Sequence, residues 1–274
     1  TLPAPKASDI QVSNKGNITL TGKKSIGLAT SFGLVTNEGN VSVTGEESVG
    51  MYAADSSVAK NTGTIEVGTK STGIYAENDL KDKGNSTAIS ENKNIDITNT
   101  GTIKGKAGST GVYGIYAKND KANYSKATST ITHSGNIDLS NSTSSVGIYT
   151  ENGKLTSSGS ISVGKNSIGI NATNSEVELS QTGSVNATSA IGVLTRNGNL
   201  KSRANLTVKN GIGVDVDKSK VDIEGGTYNL DKSVAFRIGD LTGGYFKGNG
   251  GNINITGKNS VAYYLKNANL TSNS

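Results

Sequence analysis

Ser48-Val49-Gly50-Met51-Tyr52-Ala53 is followed 23 residues later by Ser71-Thr72-Gly73-Ile74-Tyr75-Ala76. The same pattern (small, apolar, Gly, apolar, variable, small or apolar) begins at Ser25-Ile26-Gly27-Leu28. It returns at Gly114-Ile115-Tyr116-Ala117, Ser145-Val146-Gly147-Ile148-Tyr149 and Ser167-Ile168-Gly169-Ile170, then at Ile191-Gly192-Val193 and Ile212-Gly213-Val214. The last two copies carry Ala in place of Gly, at Ser233-Val234-Ala235-Phe236 and Ser260-Val261-Ala262-Tyr263. Successive third positions lie 23, 23, 41, 33, 22, 23, 21, 22 and 27 residues apart. A period near 22 residues marks a repeat architecture whose units stack on their neighbours.

A second motif interleaves with the first, as Gly16-Asn17-Ile18-Thr19-Leu20, Gly39-Asn40-Val41-Ser42-Val43, Gly63-Thr64-Ile65-Glu66-Val67, Gly135-Asn136-Ile137-Asp138-Leu139 and Gly159-Ser160-Ile161-Ser162-Val163. A weaker third segment follows each first motif, as in Val177-Glu178-Leu179 and Val221-Asp222-Ile223. Each segment alternates with period two, which marks a strand, and Gly, Asn and Ser supply the turns between them. Like segments of successive repeats match, so the strands are expected to stack in parallel from coil to coil rather than fold into hairpins. The fixed Leu-Asn framework of a leucine-rich repeat is absent. The expected fold is therefore an all-β parallel β-helix: about ten coils of about 22 residues, three short strands per coil, spanning roughly 45–50 Å. In the second motif Ile18 and Leu20, Val41 and Val43, and Ile137 and Leu139 are expected to point inward. Rows of Asn, Ser and Thr then form ladders outside.

Composition agrees. Only 32% of the 274 residues are hydrophobic and 5% aromatic, with 36 glycines, which is too little for a round core but enough for a narrow shared one. The chain has no cysteine, which excludes disulfides, cysteine–zinc sites and thiol chemistry. The net charge is +5 (27 basic minus 22 acidic), and the lysines are scattered, so nucleic acid is not an expected partner. No apolar run reaches the 18 or so residues of a membrane helix, and no signal peptide is present. Thr1 to Ala7 reads as an extended lead-in, and residues 8–274 read as one solenoid segment. Asn269-Leu270-Thr271-Ser272 matches Lys154-Leu155-Thr156-Ser157, so the expected piece is an interior length of a longer rod.

The Ser-Val-Gly-Met-Tyr-Ala repeats at 48–53, 71–76 and 145–150 resemble the passenger regions of type V autotransporter adhesins, especially the large fusobacterial ones. High Asn, Lys, Ser and Ile content with scarce Arg is similar too. The resemblance covers nearly the whole chain from Ser8 onward. It implies a right-handed helix, export to the cell surface, a tether through an outer-membrane barrel outside this segment, and adherence to a host-cell or bacterial surface protein or glycan. A monomer without cofactor, metal or catalytic residues is expected. The alternatives are a carbohydrate-active β-helix enzyme and a pure structural spacer.

Two places are candidate binding sites. The repeat spacing is long at 77–93 and at 118–129, where insertions leaving the same strand of consecutive coils would protrude side by side. They carry Asp79, Lys81, Asp82 and Lys83, then Asp120, Lys121 and Tyr124. Such loops either bind a partner or are tolerated surface insertions. The second place is a stripe of Tyr52, Tyr75, Tyr116 and Tyr149 at the fifth position of the first motif. With the second, fourth and sixth positions expected inward, the glycine and the tyrosine would face out. The rings could then meet a sugar or a protein partner, or simply shield the glycine backbone. Thr110-Gly111-Val112-Tyr113 also fits the motif, which leaves the register of Tyr116 open. His133, the single histidine, stands where other repeats carry a turn Asn or Ser, and reads as a turn residue rather than a general base. Asp215 and Asp217, near Glu224, are the densest acidic group and read as a solvated outer face, with cation binding or acid/base work as the alternative.

Overall fold

The structure is a computed structural model that describes residues 10–78, 94–119 and 128–266. The lead-in at 1–7 and the part-coil near Leu270 lie outside these residues. Every regular element among the described residues is a β-strand. The strands form a parallel β-solenoid of about ten turns, built from three strand columns.

One column collects the glycine motif. Ten strands, from Ile26–Ser31 and Val49–Ala54 through to Val234–Ile238 and Val261–Leu265, form a single sheet in which each pairs only with the copies before and after it. We call this the first sheet. A second column stacks Asn17–Leu20, Asn40–Val43 and Thr64–Val67 in register, so that Ile18, Val41 and Ile65 are successive partners. The third column stacks Gln11–Asn14, Leu34–Asn37 and Val58–Asn61. The three short strands persist for eight coils. In the last two, the third and second columns fuse into single strands, Lys220–Asp231 and Tyr245–Ile255, paired with register shifts around Glu224. Gly226 and Gly251, at φ +87 and +99, sit where the earlier coils make their turn.

The core is a stack of aliphatic rungs. Val41, Ile65, Ile103, Ile137 and Ile161 from the second column meet Met51, Ile74, Ile115, Ile148 and Ile170 from the first, all buried. Ile18 and Leu20 are only partly buried, because no described coil lies beyond them. The polar rows outside form the expected ladders: Asn40 donates to Asn17 at 2.9 Å and Ser184 to Ser160 at 3.2 Å.

The orientation expected for the first motif is reversed at two positions. A Cβ built on Gly50 would lie 2.5 Å from Cγ2 of the core residue Ile65 and 2.7 Å from the Gly73 carbonyl oxygen. The glycine therefore faces inward, and the second position faces out. The pairing register steps from Val49–Thr72 to Met51–Ile74 and skips the glycine. Simple alternation fails at this irregularity, since the glycine and the residue after it are both buried. Glycine is required because the column of core side chains already fills the slot. The idea that tyrosine rings shield outward glycines is set aside for the same reason.

Seven of the ten corners before the first sheet repeat one device. Lys24, Glu47, Lys70, Ser144, Asn166, Lys232 and Asn259 adopt positive φ, a costly state for non-glycine residues that surrounding contacts must enforce. A buried or half-buried serine follows, and its hydroxyl accepts the backbone N–H of the preceding coil: Ser25 to Ser48 at 3.0 Å, Ser48 to Ser71 at 2.9 Å, Ser145 to Ser167 at 3.0 Å.

Candidate functional site

The fifth positions of the first sheet are in register, with Tyr52 paired to Tyr75, Tyr75 to Tyr116 and Tyr116 to Tyr149. This fixes the repeat glycine of that coil as Gly114 and places Tyr113 in the second-position row. Parallel stacking brings the four rings into one column. Their centroids are 5.8, 4.9 and 4.8 Å apart, with interplanar angles of 13°, 7° and 11°. Tyr113 meets Tyr116 edge-on at 5.5 Å. Both faces of Tyr75 and Tyr116 are thus covered by neighbouring rings.

The hydroxyls are engaged as well. Tyr75 donates to Glu77, and Tyr149 donates to Glu151 at 2.5 Å. Lys118 stands between these two carboxylates in register and lies 3.8 Å from Glu151. Burial pushes the Tyr116 phenol up to about 12, helped by Glu77 and Glu151. Tyr75 and Tyr149 are raised further, by burial first and then by the carboxylate each one bonds. Ionising these phenols would place negative charge beside Glu77 and Glu151 in a half-buried row.

Beside the tyrosines runs a second outward row: Ile26, Val49, Thr72, Tyr113, Val146, Ile168, Ile191, Ile212, Val234 and Val261, paired in sequence along the rod. Most are partly exposed, and Ile26 and Val261 reach 49% and 43%. Sequence reasoning missed this row by assigning it to the core. The equivalent row of the second column is Asn17, Asn40, Thr64, Thr102, Asn136, Ser160, Ser184 and Asn205, uniformly polar.

The loop candidates Asp79, Lys81, Asp82, Lys83, Asp120, Lys121 and Tyr124 lie outside the described residues. The strands that lead to those segments end at Asn78 and Asn119, which are register partners whose side chains bond across the coils at 2.6 Å.

His133 has a different setting from the one expected. It is fully buried and continues an internal ladder of asparagines. Asn14 donates to Asn37 at 2.9 Å, Asn37 to Asn61 at 2.8 Å and Asn61 to Asn99 at 2.7 Å. The Asn99 amide lies 3.1 Å from His133 Nδ1, and His133 Nε2 lies 3.3 Å from the Ser160 carbonyl oxygen. An amide NH2 only donates and a carbonyl only accepts, so Nδ1 is the acceptor and Nε2 carries the proton. Burial depresses the imidazole's affinity for a second proton, partly offset by bonds to the Ser160 and Asn99 backbones.

Asp215 and Asp217 do share the outer face, each alternating with buried Val214 and Val216. Asp215 is taken by Arg237, whose Nε lies 2.8 Å away and whose second nitrogen also contacts it. Glu224 lies elsewhere, on the fused strand, paired with Lys201 at 3.1 Å and with Arg203. A shallow charged groove of about 320 Å³ on the third column, lined by Lys154, Glu176, Glu178, Lys201, Lys220 and Asp222, was also missed. Its signal was present in the charged alternate positions of Glu176-Val177-Glu178-Leu179. Tyr245 closes it by donating to Asp222 at 2.8 Å.

Fold and surface define a repeat-built parallel β-solenoid with one ordered aromatic and aliphatic face. Residues 1–82 match the family model described as the BigA third pectate lyase-like domain. That match spans the first three coils. At this coarse level it fits a secreted, adhesin-type surface protein. Neither a curated protein nor a solved structure gives a significant match.

Proposed function

We infer that the chain is a non-catalytic passenger segment of a bacterial surface adhesin of the autotransporter kind, holding an adhesive face away from the outer membrane and attaching to host cells or other bacteria. The observation that carries this reading is the first sheet: a rigid parallel stack presenting the Tyr52–Tyr75–Tyr116–Tyr149 column and an aliphatic row outside. The partial likeness to a domain of BigA, an autotransporter-like adhesin, supports it. Large exposed apolar surfaces on soluble rods mark interaction sites. The engagement of Asp215 by Arg237 and the burial of His133 support a non-catalytic role. The test is attachment of the purified chain to cultured epithelial cells and to Gram-negative bacteria, compared with a Tyr75→Ser/Tyr116→Ser variant. Binding is expected for the native chain and reduced at least tenfold in the variant. Equal attachment by both would refute the role of this face. The enzyme alternative is tested on acidic polysaccharides, where release of unsaturated sugars or new reducing ends would overturn the non-catalytic reading.

A further inference from the structure

The outer face of the first sheet discriminates between the two classes of partner an adhesive rod could take. We propose that its occupant is a protein presenting a flat, aliphatic sheet face, and not a glycan; this rests on the adhesive reading above.

Sugar recognition by tyrosine needs an open ring face for the C–H groups of the sugar and open hydroxyls for its polar rim. Here the faces of Tyr75 and Tyr116 are stacked on neighbouring rings at 4.8–5.8 Å. The hydroxyls of Tyr75 and Tyr149 are already donated to Glu77 and Glu151. What the column turns outward is ring edge, which adds apolar contact area but no open stacking face.

The adjoining row points the same way. Valine and isoleucine recur outward at Val49, Val146, Ile168, Ile191, Ile212 and Val234. Strand preference alone does not explain them, because Thr and Asn serve in the corresponding row of the second column. An aliphatic row offers nothing to sugar hydroxyls, while it offers a protein surface continuous apolar contact.

Shape and size complete the match. Ten in-register rungs make a face about 48 Å long and about 17 Å wide from the second position to the seventh. That is roughly 800 Å², the area one side of a stable protein interface needs, with the aliphatic row and the tyrosines as its apolar strip and the seventh-position Glu77, Lys118, Glu151, Arg196 and Asp217 as its polar rim. A convex partner would touch only a few rungs, whereas a flat sheet can seat at about 10 Å along the whole face.

The experiment uses the full chain and cultured epithelial cells. One set of cells is treated with trypsin, another with periodate to destroy surface sugars. The chain is compared with a Val146→Lys/Ile168→Lys variant, both outward positions whose replacement leaves the core intact, and with a Thr130→Lys control on the third column; circular dichroism checks that all three fold. The expected result is binding that trypsin abolishes and periodate spares, at least tenfold weaker in the double variant and unchanged in the control. Photo-crosslinking from position 168 should give a protein adduct that periodate does not remove. Binding that survives trypsin and is lost with periodate overturns the proposal in favour of a glycan. Full binding by the folded double variant also overturns it, because the face is then not used. If the native chain binds no cell at all, the adhesive reading fails, and this proposal fails with it.

Discussion

At the scale of single residues, the inward glycine and the buried histidine govern the coil. A methyl group at Gly73 would meet the Gly114 carbonyl oxygen and Ile103 Cγ2, each at 2.5 Å. Gly73→Ala should destabilise the chain by about 1–3 kcal/mol through overpacking, read as a lower urea midpoint. The same change at Gly16, where a Cβ meets nothing within 4 Å, should cost far less. His133 makes the second prediction. Its folded-state proton affinity is depressed, so the unfolded chain binds the proton first as pH falls. The stability it protects is complete above its ordinary value near 6.5 and drains away as pH drops below that. Denaturation midpoints should therefore fall between about pH 7 and pH 5. His133→Asn, which continues the asparagine ladder, should flatten this part of the profile. A profile unchanged by the substitution would refute the assignment. Neither residue announced itself in the sequence. Glycine contributes nothing to a hydrophobic pattern, so its inward slot reads as an outward one. A buried ladder residue looks polar and hence exposed. The column Asn14, Asn37, Asn61, Asn99 and His133, each preceding a turn by the same offset, was the signal available.

At the scale of the element, strand identity was legible and strand facing was only partly so. Period-two alternation located all three columns, because in the second motif nothing interrupts it: Ile137 and Leu139 are buried as expected. In the first motif the irregularity at the glycine swaps the parity of the second position, so strict alternation places an outward aliphatic row in the core. The tyrosine column survived because it lies beyond the irregularity. Face-to-face aromatic neighbours contribute about 0.5–1.5 kcal/mol each. Tyr116→Ser, which removes two stacked partners and the edge contact with Tyr113, should therefore cost roughly 1–3 kcal/mol, seen as a lower melting temperature. Alkali acts on the same column. The folded proton affinities of Tyr75, Tyr116 and Tyr149 are raised, so stability is complete below the unfolded value near 10 and is lost as pH climbs toward 12. Phenolate absorbance during a pH titration should show a late-titrating group of tyrosines that Tyr116→Ser diminishes.

At the scale of the whole molecule, each coil touches only its neighbours, so stability is a sum of coil and interface contributions rather than one cooperative core. Hydrogen exchange on the 274-residue chain should show slow amides in the coils around Ile103, Ile137 and Ile161, and faster ones around Ile18 and Tyr264, where the described residues supply a neighbouring coil on one side only. Uniform protection along the rod would contradict this. The repeat count and the parallel stacking were readable because periodicity is a one-dimensional property. The fusion of strands in the last two coils was not, since Gly225-Gly226 and Gly250-Gly251 look like ordinary turn residues until the register is known.

The stacking direction also fixes how the rod answers a pull. Force along its long axis acts across the hydrogen bonds between coils, so one coil can detach while the rest hold. A released coil trades about 4.8 Å of rod for roughly 75 Å of extended chain. Held between two anchors, the molecule should lengthen in steps of about 70 Å, each dissipating work and sparing the bond at its tip. Stretching the chain in an optical trap would count those steps, and a single all-at-once rupture would show that the coils share the load instead.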